Sequence, residues 1–266
     1  MTARRNIIAT LSLALASLLP LPAGAQTSFP ADCAGTYRGL VGRFDSGSGL
    51  GGVISVTANR HGRVTGFVDV ESRRYSFTGS LTHTIDSYFV LSKNIGGGTL
   101  QLQVIIDCSK AEVTGSIANP TAPWSLPFYG RRLQPCDTRW VPHNWRGTHY
   151  VNLNPQIDPD KYDEKTFPVG QGLGNVVIDA WGFYKWSGRL ADGSNYCFAG
   201  RLEPDGRFSG RTLLYGGKGS FQGWFYLSGE PGYIYGEAEW VKYPKPGART
   251  FPNGFPLHKL TVTEGQ

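Results

Sequence analysis

The sequence predicts an all-β protein of two tandem antiparallel meander domains, each a small eight-stranded up-and-down barrel, related by internal duplication. Three observations predict it. Of 266 residues 36 are Gly and 13% are aromatic, while only 17% are charged; globular chains average about 7% Gly and about 25% charged residues. Apolar residues recur at every second position, the period of a strand with one buried face, and not at helical spacing. The chain also repeats itself at an offset of 121 to 122 residues, the signature of a duplicated unit. Together these exclude a coiled coil, a helical bundle and a disordered chain.

From the N-terminus, Arg4 and Arg5 precede an apolar stretch, Ile7 to Leu21, and a small-residue Ala23-Gly24-Ala25 site. Residues 1–25 therefore read as a cleaved secretory signal, which places the mature protein in the periplasm, outside the cell or on its surface. Ser12, Ser17, Pro20 and Pro22 interrupt the stretch, which argues against a membrane anchor, and no Cys stands at the cleavage point to carry a lipid. No other apolar run reaches the roughly 20 residues a spanning helix needs, so no membrane span is expected in the mature chain. The formal charge is +6, of which Arg4 and Arg5 supply two. Outside the signal the only tight basic pairs are Arg73-Arg74 and Arg131-Arg132. These read as solvated turn and edge charges, so nucleic acid is not an expected partner.

Copy 1 spans 26–136, a linker covers 137–144, and copy 2 spans 145–266 with a long loop at 152–171. In copy 1, strands are expected near 35–42, 52–59, 63–71, 74–82, 87–93, 99–107, 111–118 and 124–133. Val53-Ile54-Ser55-Val56 alternates, Arg60 to Arg63 turns, and Tyr75, Phe77, Gly79 and Leu81 share a face, as do Leu100, Leu102, Val104 and Ile106. In the repeat, Ile54, Val56 and Val64 meet Val176, Ile178 and Trp186 at an offset of 122. At 121, Tyr75, Phe77 and Gly79 meet Tyr196, Phe198 and Gly200, and Leu100 and Val104 meet Phe221 and Phe225. Turns fall at Asn94–Gly98, Asp192-Gly193 and Pro204-Asp205-Gly206. Such short connections leave no room for crossover helices, so neighbours pair antiparallel, and eight meandering strands can close and remove their edges. Mid-strand Gly66, Gly79, Gly115, Gly188, Gly200, Gly223 and Gly236 read as bends in tight walls.

Four cysteines are present: Cys33, Cys108, Cys136 and Cys197. An exported chain can keep disulfides, and four cysteines allow three full connectivities. Meander order brings Cys33, Cys108 and Cys136 to one end of copy 1. Cys33 and Cys136 flank its first and last strands and are the expected pair, with Cys108 competing for either. Cys197, between Tyr196 and Phe198, is expected to be a free, buried thiol.

Reactive patterns are sparse. No nucleophile elbow or zinc-peptidase motif occurs, the five His show no ligand spacing, and no metal or cofactor is expected. Glu237 and Glu239, and likewise Asp69 and Glu71, stand two apart on a strand, about 7 Å from each other, a separation glycosidases can use; these are read as solvated faces. Gly216-Gly217-Lys218-Gly219-Ser220 lacks both phosphate-loop spacing and a following helix, so it is a hairpin turn. The acidic run Asp158 to Glu164 reads as a solvated loop, with calcium as the alternative. What remains is aromatic. Trp181, Tyr184, Trp186, Trp224, Tyr226 and Trp240 of copy 2 are the candidate ligand-binding residues, since aromatic faces suit sugars and flat or apolar ligands. If its strand is regular, Trp181, Phe183 and Lys185 point opposite to Tyr184 and Trp186.

In copy 2, Leu190-Ala-Asp192-Gly193, Leu214-Tyr215-Gly-Gly-Lys218-Gly219-Ser220-Phe-Gln-Gly223-Trp224 and Tyr235-Gly236-Glu-Ala-Glu-Trp240 resemble the Gly- and aromatic-rich tandem β-repeats, about 100 residues each, of large secreted surface proteins of Gram-negative bacteria. Copy 1 lacks the Lys-Gly-Ser-x-x-Gly-Trp box. The resemblance implies a secreted β-module with a binding or structural role and supplies no catalytic residues. The reading is a non-enzymatic module that binds a glycan or small apolar ligand through copy 2. A structural or adhesion-type surface protein with cell-surface protein partners is the alternative, and a hydrolase acting on a polysaccharide or ester the remote one.

Overall fold

The period-two alternation is realised as two sheets in a computed structural model that describes residues 28–42, 49–122, 124–133, 139–157, 162–229 and 232–265. Residues 1–25, read from the sequence as a secretory signal, lie outside these residues. Barrel 1 contains β1 (Gly35–Gly42), β2 (Gly51–Ala58), β3 (Arg63–Val70), β4 (Arg73–Ser80), the two-residue β5 (Thr82–His83), β6 (Tyr88–Ile95), β7 (Leu100–Asp107), β8 (Glu112–Asn119) and β9 (Trp124–Arg132). The eight expected strands are thus present, and β5 is an addition. Barrel 2 contains β10 (Gly147–Pro155), β11 (Gly172–Ile178), β12 (Phe183–Arg189), β13 (Asn195–Arg201), β14 (Arg207–Leu213), β15 (Gly219–Ser228), β16 (Tyr233–Lys242) and β17 (Phe255–Glu264). Because β10 continues through Pro155, the connection to β11 is shorter than the expected 152–171 loop.

Both sheets are antiparallel meanders in which the first strand also pairs with the last: β1 with β9 and β10 with β17. Each barrel is nearly closed, and its ladder stops at one seam, between β4 and β6 or between β13 and β14. Side chains bridge what the ladders leave open. Lys93 Nζ donates to the Thr78 carbonyl at 2.6 Å, and Tyr184 OH donates to the Ser209 carbonyl at 2.6 Å. Gly79 and Gly210 make room at the same seams. A Cβ on Gly79 would lie 2.6 Å from Leu91, and one on Gly210 would lie 2.0 Å from the Phe198 ring. Of the mid-strand glycines, Gly79 and Gly200 leave space for a neighbouring side chain, whereas at Gly66, Gly115, Gly188, Gly223 and Gly236 an added Cβ would first meet a carbonyl oxygen of the paired strand.

The repeat is refined by register. Asn59 and Asp179 build the same turn: each side-chain oxygen accepts from backbone N–H groups two and four residues on. That turn aligns the copies at an offset of 120, not 122, a two-residue slip that preserves the buried face. β7–β8 and β15–β16 align at 121, with the Asp107–Glu112 pair matching Ser228–Tyr233.

The cores differ in kind. Barrel 1 is filled by Ile54, Val56, Val64, Leu102, Val104, Ile106, Ile117 and Leu126 around Tyr37. Barrel 2 is filled by Trp186, Trp240, Tyr196, Phe198, Phe208, Phe221 and Phe225. Outward positions in barrel 1, such as Thr65, Thr78, Lys93 and Gln101, are exposed and polar. This is the reverse of a membrane-spanning barrel, whose outer band is apolar. No helix among the described residues is long and apolar enough to cross a membrane.

Two cysteine expectations are corrected. Cys33 is bonded to Cys108, with Cα atoms 5.3 Å apart, and so not to Cys136, which lies outside the described residues. The reason is strand order: the end of β7 reaches the segment that leads into β1. Cys197 is free as expected but exposed, because the alternation that buries Tyr196 and Phe198 turns it outward.

The barrels meet through outward-facing residues that are nonetheless buried. On barrel 1 these include Leu40 and Val53; on barrel 2, Ser220, Gln222 and Glu239. Arg211 Nη1 donates to the Glu71 carbonyl at 3.0 Å, and its Nη2 lies 3.5 Å from Glu71 Oε2. Elsewhere in the joint Arg131 pairs with Asp205 and stands 3.9 Å from buried Glu203. Burial and the Asp205 carboxylate push Glu203 from 4.5 up to about 7, against the pull of Arg131 and Arg207.

Candidate functional site

Strand parity decides which aromatic residues of barrel 2 reach solvent. In β15, Phe221, Phe225 and Leu227 face the interior, so Trp224 and Tyr226 face outward and are half-buried. In β16, Ile234, Gly236 and Ala238 face in, while Tyr235 and Glu237 face out and are exposed. Pairing across the hairpin sets Tyr226 opposite Tyr235 and Trp224 opposite Glu237, and β17 adds Thr261 beside Glu237. These residues with Thr263 line a groove of about 550 Å³.

The rings are held in place. Tyr226 and Tyr235 stack with centroids 5.2 Å apart and planes 16° from parallel, and the Arg207 guanidinium stands 5.4 Å from the Tyr226 ring. The Tyr129 ring of barrel 1 lies 5.7 Å from that of Trp224. The Tyr129 hydroxyl donates to Glu112 at 2.8 Å, and burial with that carboxylate raises its pKa and keeps it protonated. Along the other wall, Asn154 Nδ2 donates to Thr263 Oγ1 at 3.0 Å and Gln156 Nε2 to Thr261 Oγ1 at 2.9 Å. A threonine hydroxyl that accepts from an amide keeps its own proton to donate. The groove thus offers flat apolar surface with donors and a carboxylate acceptor at its edge.

Of the six aromatic candidates from the sequence, Trp224 and Tyr226 lie in this groove. Tyr184, Trp186 and Trp240 are core residues whose polar atoms are satisfied internally. Trp186 Nε1 donates to Tyr196 OH at 2.8 Å and Trp240 Nε1 to Tyr215 OH at 2.9 Å, and burial raises the pKa of Tyr184. The reason is closure: the face carrying Tyr184 and Trp186 is the inner one. Trp181 sits in the β11–β12 turn, away from the groove, with its carbonyl accepting from Trp140 Nε1 at 3.1 Å and Arg139 4.8 Å from its ring. Sequence reasoning missed Tyr235, Thr261, Thr263 and Tyr129. Tyr235 had a signal, since folding the chain back between Ser228 and Tyr233 places it opposite Tyr226.

The other candidates resolve as follows. Glu237 and Glu239 share the outer face, but Glu239 is fully buried with Gln222 Nε2 3.4 Å away. Asp69 is held by Arg74 in a two-pronged pair at 2.7 and 2.8 Å, and Glu71 accepts from Gly51 N at 2.6 Å. The Gly216–Ser220 run is a hairpin turn, closed by Leu214 N to the Gly219 carbonyl. In the acidic loop, residues 158–161 lie outside the described ones, and Asp163 caps a turn by accepting from Lys165 N at 2.9 Å. Among the described residues no group of three or more His, Cys, Asp or Glu could hold a metal ion.

No protein-family model matches the chain, and no curated protein gives a significant match. Two solved structures are similar in outline. One is a candidate outer membrane protein of Bacteroides fragilis, 10% identical, with 88% of this chain and 98% of that one covered and a TM-score of 0.25. The other is a double mutant of Transferrin Binding Protein B from Haemophilus parasuis, 9% identical, with 81% of this chain and 53% of that one covered and a TM-score of 0.23. At these values neither assigns an activity to this chain.

Proposed function

We propose that this protein is an exported, non-enzymatic module that binds a glycan on the outer aromatic groove of barrel 2. The observation that carries the reading is the grouping of Trp224, Tyr226 and Tyr235 in one groove rimmed by Glu237, Thr261 and Thr263. A sugar offers an apolar ring face to aromatic carbons and hydroxyls to polar edges, which is the pattern of this surface. A ligand inside the barrel is disfavoured, since rings such as Trp186 and Phe225, 4.2 Å apart, occupy that space. Export is supported by the signal-like N-terminus and by the Cys33–Cys108 disulfide, which persists in oxidising compartments. The resemblance of copy 2 to secreted surface repeats agrees with this.

The test is a titration of tryptophan fluorescence with soluble β-glucan, mannan and chitin oligosaccharides. Saturable quenching by at least one is expected, weakened tenfold or more by Trp224→Ala or Tyr235→Ala with circular dichroism unchanged. Binding that survives the double variant would sink the reading.

One observation favours the second reading, a surface protein with protein partners. Tyr150, Leu173, Val177 and Phe183 are 63%, 58%, 43% and 47% exposed on the outer face of β10–β12, and exposed apolar patches mark interaction sites. Substitution of Val177 and Phe183 by Ser would separate the two, since it leaves the groove intact.

A further inference from the structure

A second cleft lies at the joint between the barrels, lined by residues of both, and its volume is about 370 Å³. Four arginines line it: Arg38, Arg73 and Arg74 from barrel 1 and Arg211 from barrel 2. Only two carboxylates accompany them, and both are engaged. Asp69 takes the fork of Arg74, and Glu71 faces Arg211. Among the described residues Arg73 is exposed with no ion-pair partner, and Arg38 makes a single 3.5 Å hydrogen bond to the Ala199 carbonyl. The remaining lining is Ser72 with the apolar Val53, Phe67 and the exposed Leu213. The Arg74 guanidinium stands 3.9 Å over the Phe67 ring.

We propose that this inter-barrel cleft is a binding site for an oxyanion, a carboxylate or sulfate group carried on a compact body, which the less engaged Arg38 and Arg73 of its lining receive. Guanidinium forks match such groups with two parallel N–H···O bonds. An excess of cations in a concave, partly apolar wall raises the local concentration of anions. The ion pairs of Arg74 and Arg211 fix the walls, and the two less engaged arginines receive the ligand. The site is separate from the aromatic groove and does not depend on it. Its ligand is either a free small acid or an acidic residue of a polysaccharide, since the recognised group is the same.

The experiment is calorimetric titration of the full protein with benzoate, with trigalacturonate, and with benzyl alcohol as the uncharged control. Saturable binding of at least one acid and none of the alcohol is expected, falling as salt rises from 20 to about 300 mM because exposed charges are screened. Arg38→Ala with Arg73→Ala should weaken it tenfold or more, whereas Trp224→Ala should not change it. Benzoate binding alone identifies a small-acid site, and trigalacturonate binding alone a polymer site. If the double variant does not fold, Arg73→Ala by itself, at an exposed position, should still weaken binding several-fold. Failure of both acids to bind, or equal affinity in wild type and Arg73→Ala, overturns the proposal. Neither outcome bears on the glycan reading, which stands or falls with Trp224 and Tyr235.

Discussion

Where barrel 1 places Leu100 and Val104, barrel 2 places Phe221 and Phe225 at the matching interior positions. The two barrels share strand order and differ in how they fill it. Barrel 1 uses aliphatic side chains and ties the end of β7 to the segment before β1 with Cys33–Cys108. Barrel 2 uses large rings and clears space for them with glycines: a Cβ on Gly188 would lie 2.5 Å from Tyr196 OH. Outer faces diverge as well. Trp224, Tyr226, Tyr235 and Glu237 correspond to Gln103, Ile105, Thr114 and Ser116 in barrel 1. The two copies thus share a topology, while one of them carries an aromatic outer face.

The sharpest way to break the comparison is to empty the aromatic core. Trp186→Ala should destabilise barrel 2 by about 3–5 kcal/mol, the usual cost of a large ring lost from a packed interior. Strand-resolved amide exchange should show β11–β16 opening while β1–β9 stay protected; equal loss in both barrels would mean that they unfold as one unit. Replacing Cys33 and Cys108 together by Ser should do the reverse. The bond closes a loop of 75 residues, for which chain entropy gives roughly 4–5 kcal/mol as an upper figure and about 2–4 kcal/mol is typical. Urea unfolding should show barrel 1 weakened and barrel 2 unchanged.

Opposite pH responses should sharpen the contrast between joint and core. Glu203 is raised from 4.5 to about 7, so the folded state favours its neutral form. Its stabilising contribution is complete below about pH 4.5 and is lost as pH rises through 7. His258, buried in barrel 2, is lowered from 6.5 to about 4 by burial, with its bond to the Pro168 carbonyl opposing. Its contribution is held above pH 6.5 and lost as pH falls through 4. Each tenfold change in proton affinity is worth about 1.4 kcal/mol, so both effects are at most a few kcal/mol. Glu203→Gln should flatten the upper limb of the stability–pH curve and His258→Gln the lower; a Glu203→Gln profile that overlays wild type would count against the buried carboxyl.

The smallest change in stability should come from giving barrel 2 the outer residues of barrel 1. Trp224→Gln with Tyr226→Ile replaces half-buried surface side chains and should cost within about 1 kcal/mol. Fluorescence titration should nonetheless lose glycan binding. Retained binding would show that Tyr235 and the threonines suffice.

The sequence by itself determined the strands, their order and the duplication, because alternation and turn residues are local properties written every two to ten residues. It also separated Tyr184 and Trp186 from Trp181 and Phe183, since parity along a strand assigns opposite faces. Only the tertiary structure decided which face is the inside, because that depends on which way the sheet closes. Closure sent Trp186 and Trp240 into the core and left Trp224 and Tyr226 at the surface. It also decided that Cys33 meets Cys108, a contact across 75 residues. The aromatic groove needs three strands of barrel 2; the arginine cleft needs both barrels. Neither has a local signature, for the residues that form each are brought together by pairing and docking and not by spacing along the chain.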